Sequence, residues 1–183
     1  MRELALNILD IAENSLAAGA KLIEIALFVD FEKDEMRIAI KDDGCGMDED
    51  TLARVTDPFT TSRTTRPVGM GVPLFKYSAE SAGGTFFIAS EKGKGTTVTA
   101  TYCISHVDRM PLGDFGGVIL QLITMNEGVD FYISVESSGR VGALDTREVR
   151  GILGDVSFRE PEVRAFLREY IQENLVSIYG GRL

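Results

Sequence analysis

Residues 35–47 read EMRIAIKDDGCGM. Met36, Ile38 and Ile40 alternate with polar or small residues, the pattern of a strand with one buried face. The strand runs straight into Asp42-Asp43-Gly44-Cys45-Gly46-Met47, a loop by composition. Glycines at alternate positions let the backbone pass close to a flat ligand. A carboxylate is an acceptor only, so Asp42 at the strand end is suited to receive the exocyclic amine of an adenine ring. Tight turns use the same residue types, so the neighbouring segments decide the reading.

Upstream, Ala5, Ile8, Leu9, Ile11, Ala12 and Leu16 recur at helical spacing over residues 3–18, and Gly19 suits a helix stop. Asn7, Asp10, Glu13 and Asn14 fall on the opposite arc at steps of three and four. A solvated face would look the same, but Asn is a poor helix-interior residue. An amide oxygen one turn from a carboxylate can also address a hard cation and a water together. Residues 22–31, LIEIALFVDF, read as a strand that forms a hairpin with 35–41 through Glu32-Lys33-Asp34.

Downstream, Asp48 caps a short helix near 49–54, and residues 56–69 read as a mobile loop rich in Pro, Thr and Ser. Gly69-Met70-Gly71-Val72 precedes a helix over 70–82, and amides at such a helix start favour phosphate. Strands near 85–90 and 96–104 flank Gly93-Lys94-Gly95. Pro111–Gly117 is the candidate domain boundary. Beyond it, strands at 117–124 and 129–136 and helices at 146–153 and 160–179 are expected, with Val163, Phe166, Leu167, Tyr170, Ile171 and Leu175 forming an apolar stripe.

The chain has 183 residues and a formal net charge of −9, without the basic footprint of a nucleic-acid binder. A phosphate ligand must be held by local groups and a metal, against the global field. No apolar run approaches the ~20 residues of a membrane helix, and Met1-Arg2-Glu3 shows no signal-peptide layout. The expectation is a cytoplasmic protein without a membrane partner. Cys45 and Cys103 lie in unrelated contexts and read as reduced thiols.

The ordered motifs resemble those of the GHKL superfamily, which holds DNA gyrase, a heat-shock chaperone, histidine kinases and MutL. IAENSLAAGA at 11–20 resembles its N box in the MutL form, DDGCGM at 42–47 the G1 box, and DPFTTSR at 57–63 the F box and lid of histidine kinases. GMGVPL at 69–74 resembles the G2 box, and GKGTTVTATY at 93–102 the closing strand of a kinase catalytic domain. The resemblance implies a Bergerat-type α/β (α+β) two-layer sandwich over residues 1–106, a mixed sheet with helices 3–18 and 70–82 on one face. A linker at 107–116 and a small ββαα segment at 117–183, for partner docking or dimerisation, would follow.

The resemblance also implies roles. Asn14 would bind Mg²⁺ bridging the phosphates of ATP, and Asp42 would read adenine. Gly44, Gly46, Met47, Gly69, Met70, Gly71 and Val72 would shape pocket and lid. Thr96 would support adenine recognition with Thr97 beside it, and Arg63 would meet the terminal phosphate. Hydrolytic members place a glutamate four residues before the Mg²⁺ asparagine. Here Asp10 stands there, one methylene shorter, and a shortfall of ~1 Å can cost ~10²-fold in rate. Glu13 is the competing base. Pro73 replaces a usual glycine and lacks an N–H, which delays the following helix or stiffens its hinge.

A histidine kinase needs a phosphoacceptor histidine on a preceding hairpin. The only histidine, His106, follows the nucleotide region and reads as a linker residue. Three readings stay open. The first is a slow ATPase whose nucleotide state regulates a protein partner. The second is a protein (serine) kinase acting in trans like the anti-sigma kinases. The third is a non-hydrolysing sensor or scaffold. Family members often form homodimers.

Overall fold

The alternation around residues 22–42 forms a hairpin. Strands β1 (Leu22–Asp30) and β2 (Glu35–Asp42) pair antiparallel, with Ile25 opposite Ile40 and Leu27 opposite Ile38. The turn is tied by Asp30, whose Oδ1 accepts from the Glu32 and Lys33 amides at 3.0 Å, and Asp34 closes it at φ +57°. The computed structural model describes residues 3–56, 70–181 and 183.

Six strands form one mixed sheet in the order β3-β4-β2-β1-β5-β6. The outer members are β3 (Phe86–Glu91), β4 (Gly95–Cys103), β5 (Asp130–Ser137) and β6 (Arg140–Asp145). All neighbours are antiparallel except β1 and β5, which run parallel from Leu22–Asp130 to Val29–Ser137. Ile23, Ile25, Leu27, Val29, Met36, Ile38, Ile40, Val98, Ala100, Phe131, Ile133 and Val135 are buried on one face. Helices α1 (Leu4–Ala17), α3 (Gly71–Ser81), α4 (Phe115–Met125) and α6 (Pro161–Asn174) bury Leu4, Ile8, Phe75, Ile119 and Leu167 into the same core. This is the two-layer α/β sandwich expected from the sequence. Short helices α2 (Glu49–Val55) and α5 (Thr146–Leu153) complete it, both N-capped by the aspartate before them. Among the described residues no helix is long and apolar enough to cross a membrane.

The segment after residue 117 departs from its expected ββαα order. Residues 117–124 are not a strand but part of α4, and the missing strand is β6. A mostly apolar run such as VILQLI, broken only by Gln121, fits either state by pattern. Here it is wrapped by α1, α6 and the sheet, so a helix buried nearly all round satisfies its own backbone. Asp114 caps it, accepting from the Gly117 amide at 2.8 Å. The expected 160–179 helix ends at Asn174 and continues as a 3₁₀ turn over Val176–Tyr179. Through β5 the segment extends the same sheet.

Helix α1 has no side-chain N-cap. Its Leu4 and Ala5 amides instead donate to the Pro111 and Leu112 carbonyls at 2.9 and 2.8 Å. The segment between β4 and α4 is held by Asp34, whose carboxylate accepts from Cys103 Sγ, Ser105 Oγ and the Ser105 amide.

Candidate functional site

Asp42 ends β2 with its carboxylate turned into the helical layer, 7 % exposed. Ser15 Oγ of α1 donates to Oδ2 at 2.6 Å, and the Gly44 amide donates to Oδ1 at 2.9 Å. An ionised carboxylate has about four acceptor positions, so two remain for a ligand donor. Its neighbour Asp43 faces the other way, with Oδ1 accepting from the Lys21 and Leu22 amides. Burial works to raise the Asp43 carboxyl, and those amides outweigh it and hold it below the usual range.

The glycines leave room that any side chain would close. A Cβ on Gly44 would stand 2.9 Å from both Ala18 Cβ and Asp42 Oδ1. Gly95, at φ +108°, would drive its Cβ to 1.9 Å from the Asp42 carbonyl oxygen, and Gly46, at φ +62°, to 2.0 Å from the Glu91 carbonyl oxygen. These contacts lock the 42–47 loop onto the β3–β4 turn, helped by the Gly93 amide donating to Cys45 O at 2.7 Å.

Thr96 lies opposite Asp42 in the β2–β4 register, on the same face. Its hydroxyl bonds Ser90 Oγ at 2.9 Å, and Ser90 Oγ also accepts from the Met47 amide at 2.8 Å. Thr97 lies opposite Lys41, so its side chain points to the far side of the sheet from Asp42. Ser15 and Ser90 were not singled out from the sequence. Ser15 falls on the buried stripe of α1 with Ile8, Ile11 and Ala12, and a polar residue on such a stripe needs a partner. Ser90 carries no comparable signal.

On α1 the polar arc is not uniformly solvated. Asn7 is fully buried and donates its amide to Ser78 Oγ of α3 at 3.3 Å. Ser78 donates on to the Phe75 carbonyl, and Tyr102 OH lies 3.1 Å from Ser78 Oγ. One turn further, Asp10 meets the start of α3, where a Cβ on Gly71 would be 3.0 Å from Asp10 Cβ. Burial raises the Asp10 carboxyl above its ordinary value. Glu13 is exposed and Asn14 half-buried. Among the described residues the Asn14 side-chain amide has no hydrogen bond, which leaves its oxygen free for a ligand.

Pro73 does not delay α3. The helix starts at Gly71, Pro73 sits in its first turn, and the first intrahelical bond is Leu74 N to Met70 O at 2.9 Å. The proline therefore removes no helical hydrogen bond. Val72 is buried and Met70 exposed. Arg63, Gly69 and the 57–63 motif lie outside the described residues.

Asp42 and Gly44 thus lie against the C-terminal part of α1 through Ser15 and Ala18, with Thr96 beside Asp42 in the sheet, while Gly71 at the start of α3 meets α1 at Asp10, one turn before Asn14. The profile of the family described as histidine kinase-, DNA gyrase B- and HSP90-like ATPase matches residues 1–106. Sporulation kinase E of Bacillus subtilis (strain 168) is 32% identical over 101 residues, 55% of this chain and 13% of that protein. A putative sensor protein of Shewanella frigidimarina (strain NCIMB 400) is 38% identical over 72 residues, 39% of this chain and 11% of that protein. The chain therefore spans only a small part of these relatives. The solved N-terminal domain of a DNA repair protein superposes with a TM-score of 0.52 at 14% identity, over 87% of this chain and 59% of that one, a likeness of fold alone. The chain belongs to the histidine kinase-, DNA gyrase B- and HSP90-like ATPase family.

Proposed function

We propose that the region between α1, the 42–47 loop and the start of α3 binds Mg²⁺-ATP and turns it over slowly, and that the nucleotide state regulates a protein partner. The observation that carries the reading is the half-satisfied Asp42 carboxylate, buried at a strand end beside glycines that leave no room for a side chain. The adenine amine would donate to its open acceptor positions. The N-terminus of α3, with Gly71 and Val72 in its first turn, would face the phosphates.

Mg²⁺ binds through one or two protein oxygens plus phosphates and water. The free Asn14 amide oxygen fits that demand. When bound, the ion would neutralise phosphate charge. Asp10 would accept a hydrogen bond from the attacking water, and the burial that raises its carboxyl suits a base. As the water oxygen bonds the terminal phosphorus, the bond to ADP breaks and ADP leaves with inorganic phosphate as co-product. Burial against α3 favours Asp10 over the exposed Glu13 for this role.

Titration with a fluorescent ATP analogue tests the binding site. Asp42→Asn should weaken affinity by about tenfold or more, since a hydrogen bond to a charged group contributes ~1.5–3 kcal/mol. Unchanged affinity would sink the adenine contact. Phosphate release should collapse in Asp10→Asn and fall less in Glu13→Gln, and the reverse order would move the base to Glu13. The kinase name of one relative favours a second reading, transfer to a foreign protein. Labelled ATP in cell extract would show a labelled foreign protein if it holds.

A further inference from the structure

Strand β6 is an edge of the sheet, paired on one side only, to β5. Ser137 and Arg140 flank its two-residue hairpin turn and face each other as a hydrogen-bonded pair, and the pattern alternates from there. Gly142 and Leu144 turn their backbone groups to β5, while Val141 and Ala143 turn theirs outward. The outward direction shows at Ala143, whose carbonyl accepts from Tyr170 OH of α6 at 3.0 Å. Among the described residues, the Val141 N–H, the Val141 carbonyl and the Ala143 N–H have no hydrogen bond. Val-Gly-Ala-Leu at 141–144 carries neither charge nor proline, the usual guards of an exposed edge.

This edge forms one side of a groove of about 290 Å³, with Tyr170 and Glu173 of α6 on the other side and Arg140 at its end. Gly142 lets the helix come close, because a Cβ there would stand 1.9 Å from the Asn174 carbonyl oxygen. Arg140 reaches the Ser177 carbonyl at 3.5 Å. Among the described residues, neither Arg140 nor Glu173 has an ion pair. Val141 is 69% exposed, and Phe166, whose ring lies 6.2 Å from that of Tyr170, is 55% exposed.

We propose that this groove docks an extended segment of a partner protein, which joins the sheet as an antiparallel strand beside β6. Register sets the chemistry of that segment. The residue opposite Val141 exchanges both backbone hydrogen bonds with it and is β-branched, to pack on the exposed valine side chain. The next residue toward the partner's C-terminus stands opposite Arg140, on the helix side, and is acidic. The residue before the β-branched one stands opposite Gly142, where no side chain competes for the space beside Glu173, and is basic. One place earlier, opposite Ala143, the partner's carbonyl takes the Ala143 N–H. Tyr170 already holds the donor's place at the Ala143 carbonyl, so a proline, which has no N–H, fits there with its ring against the tyrosine. From N- to C-terminus the segment is therefore proline, basic, β-branched, acidic. Its two charges oppose the two left unpaired along the groove. The groove lies beyond residues 1–106, so its occupancy does not depend on the nucleotide reading.

Fluorescence anisotropy of the full chain with a labelled synthetic peptide, Ser-Pro-Lys-Val-Glu-Ser, tests the proposal. Saturable binding with a Kd below about 1 mM is expected, and the same residues in scrambled order should bind at least about tenfold more weakly. Val141→Pro removes an N–H that faces away from β5, so it spares the ladder. It should weaken the peptide by about tenfold or more, with a thermal midpoint near the parent's. Arg140→Glu should weaken it by about fivefold or more, and a peptide with Lys in place of Glu should bind this variant to within about twofold of the parent pair. That charge exchange decides the outcome if Val141→Pro folds poorly. No saturable binding, equal binding of the scrambled peptide, or an exchange without rescue overturns the proposal. So does a folded Val141→Pro that binds as the parent does. A dimer in sedimentation velocity that Val141→Pro dissolves would give the edge to a second copy of the chain, and overturns it too.

Discussion

Replacing Ser15 with alanine isolates the support of the Asp42 carboxylate from the carboxylate itself. Ser15 is buried, and its hydroxyl lies 2.6 Å from Asp42 Oδ2, with a longer 3.3 Å contact to the Ile11 carbonyl. Removing the hydroxyl takes one of two protein donors from a buried anion. A hydrogen bond to a charged group is worth ~1.5–3 kcal/mol. For a chain of this length that lowers the thermal midpoint by roughly 3–10 °C. The carboxylate also loses the contact that fixes its direction, so affinity for an ATP analogue should fall by about three- to tenfold. The assay is a double-mutant cycle of Ser15→Ala and Asp42→Ala, read by urea unfolding and nucleotide titration. In the Asp42→Ala background the serine has lost its main partner, and its removal should cost about 1 kcal/mol less than in the parent. Costs that add to within ~0.5 kcal/mol would refute the coupling and leave Ser15 as a spectator of the pocket.

Two further outcomes follow from geometry and charge. Gly95→Ala should lower stability by more than ~3 kcal/mol and abolish nucleotide binding, because it adds a backbone clash to a left-handed φ, while Gly93→Ala, with open space around its Cβ, should keep binding. A parent-like urea midpoint for Gly95→Ala would contradict the close approach. Asp10→Asn should raise the thermal midpoint at pH 7, because burial disfavours the charged Asp10 in the folded state. The sign follows from linkage. The folded pKa lies above the unfolded one, so the parent carries the penalty above the folded pKa and loses it as pH falls below the unfolded value. The gap between variant and parent should thus close in acid, and a gap that widens there contradicts the assignment.

The candidate site was legible where local pattern and local chemistry coincide. Asp42 ends an alternating strand and enters a glycine loop, so one short segment shows both the strand and the candidate ligand carboxylate. Helix α4 was not legible, because Val118–Ile123 is apolar apart from Gln121 and only its neighbours decide between helix and strand. Strand β6 escaped notice although Ser138-Gly139 is a hairpin signal. Both residues have positive φ, +51° and +75°, and Ser137 pairs Arg140 across them. Asn7 was read with the solvent-facing arc because its neighbours at helical spacing are polar. Its burial comes from α3, more than sixty positions away in the chain, which no local window contains.

The parallel pairing of β1 with β5 bears on how the chain is made. As synthesis proceeds, β1 can find β2 within a few residues, but its other edge waits for Phe131 and its neighbours, about a hundred residues later. Until then Ile23, Ile25 and Leu27 belong to a hairpin with one open, adhesive edge. The ATP-family portion is complete as a motif well before it is complete as a sheet. The β1 edge is covered only once the residues beyond 1–106, where the family profile matches, have been made.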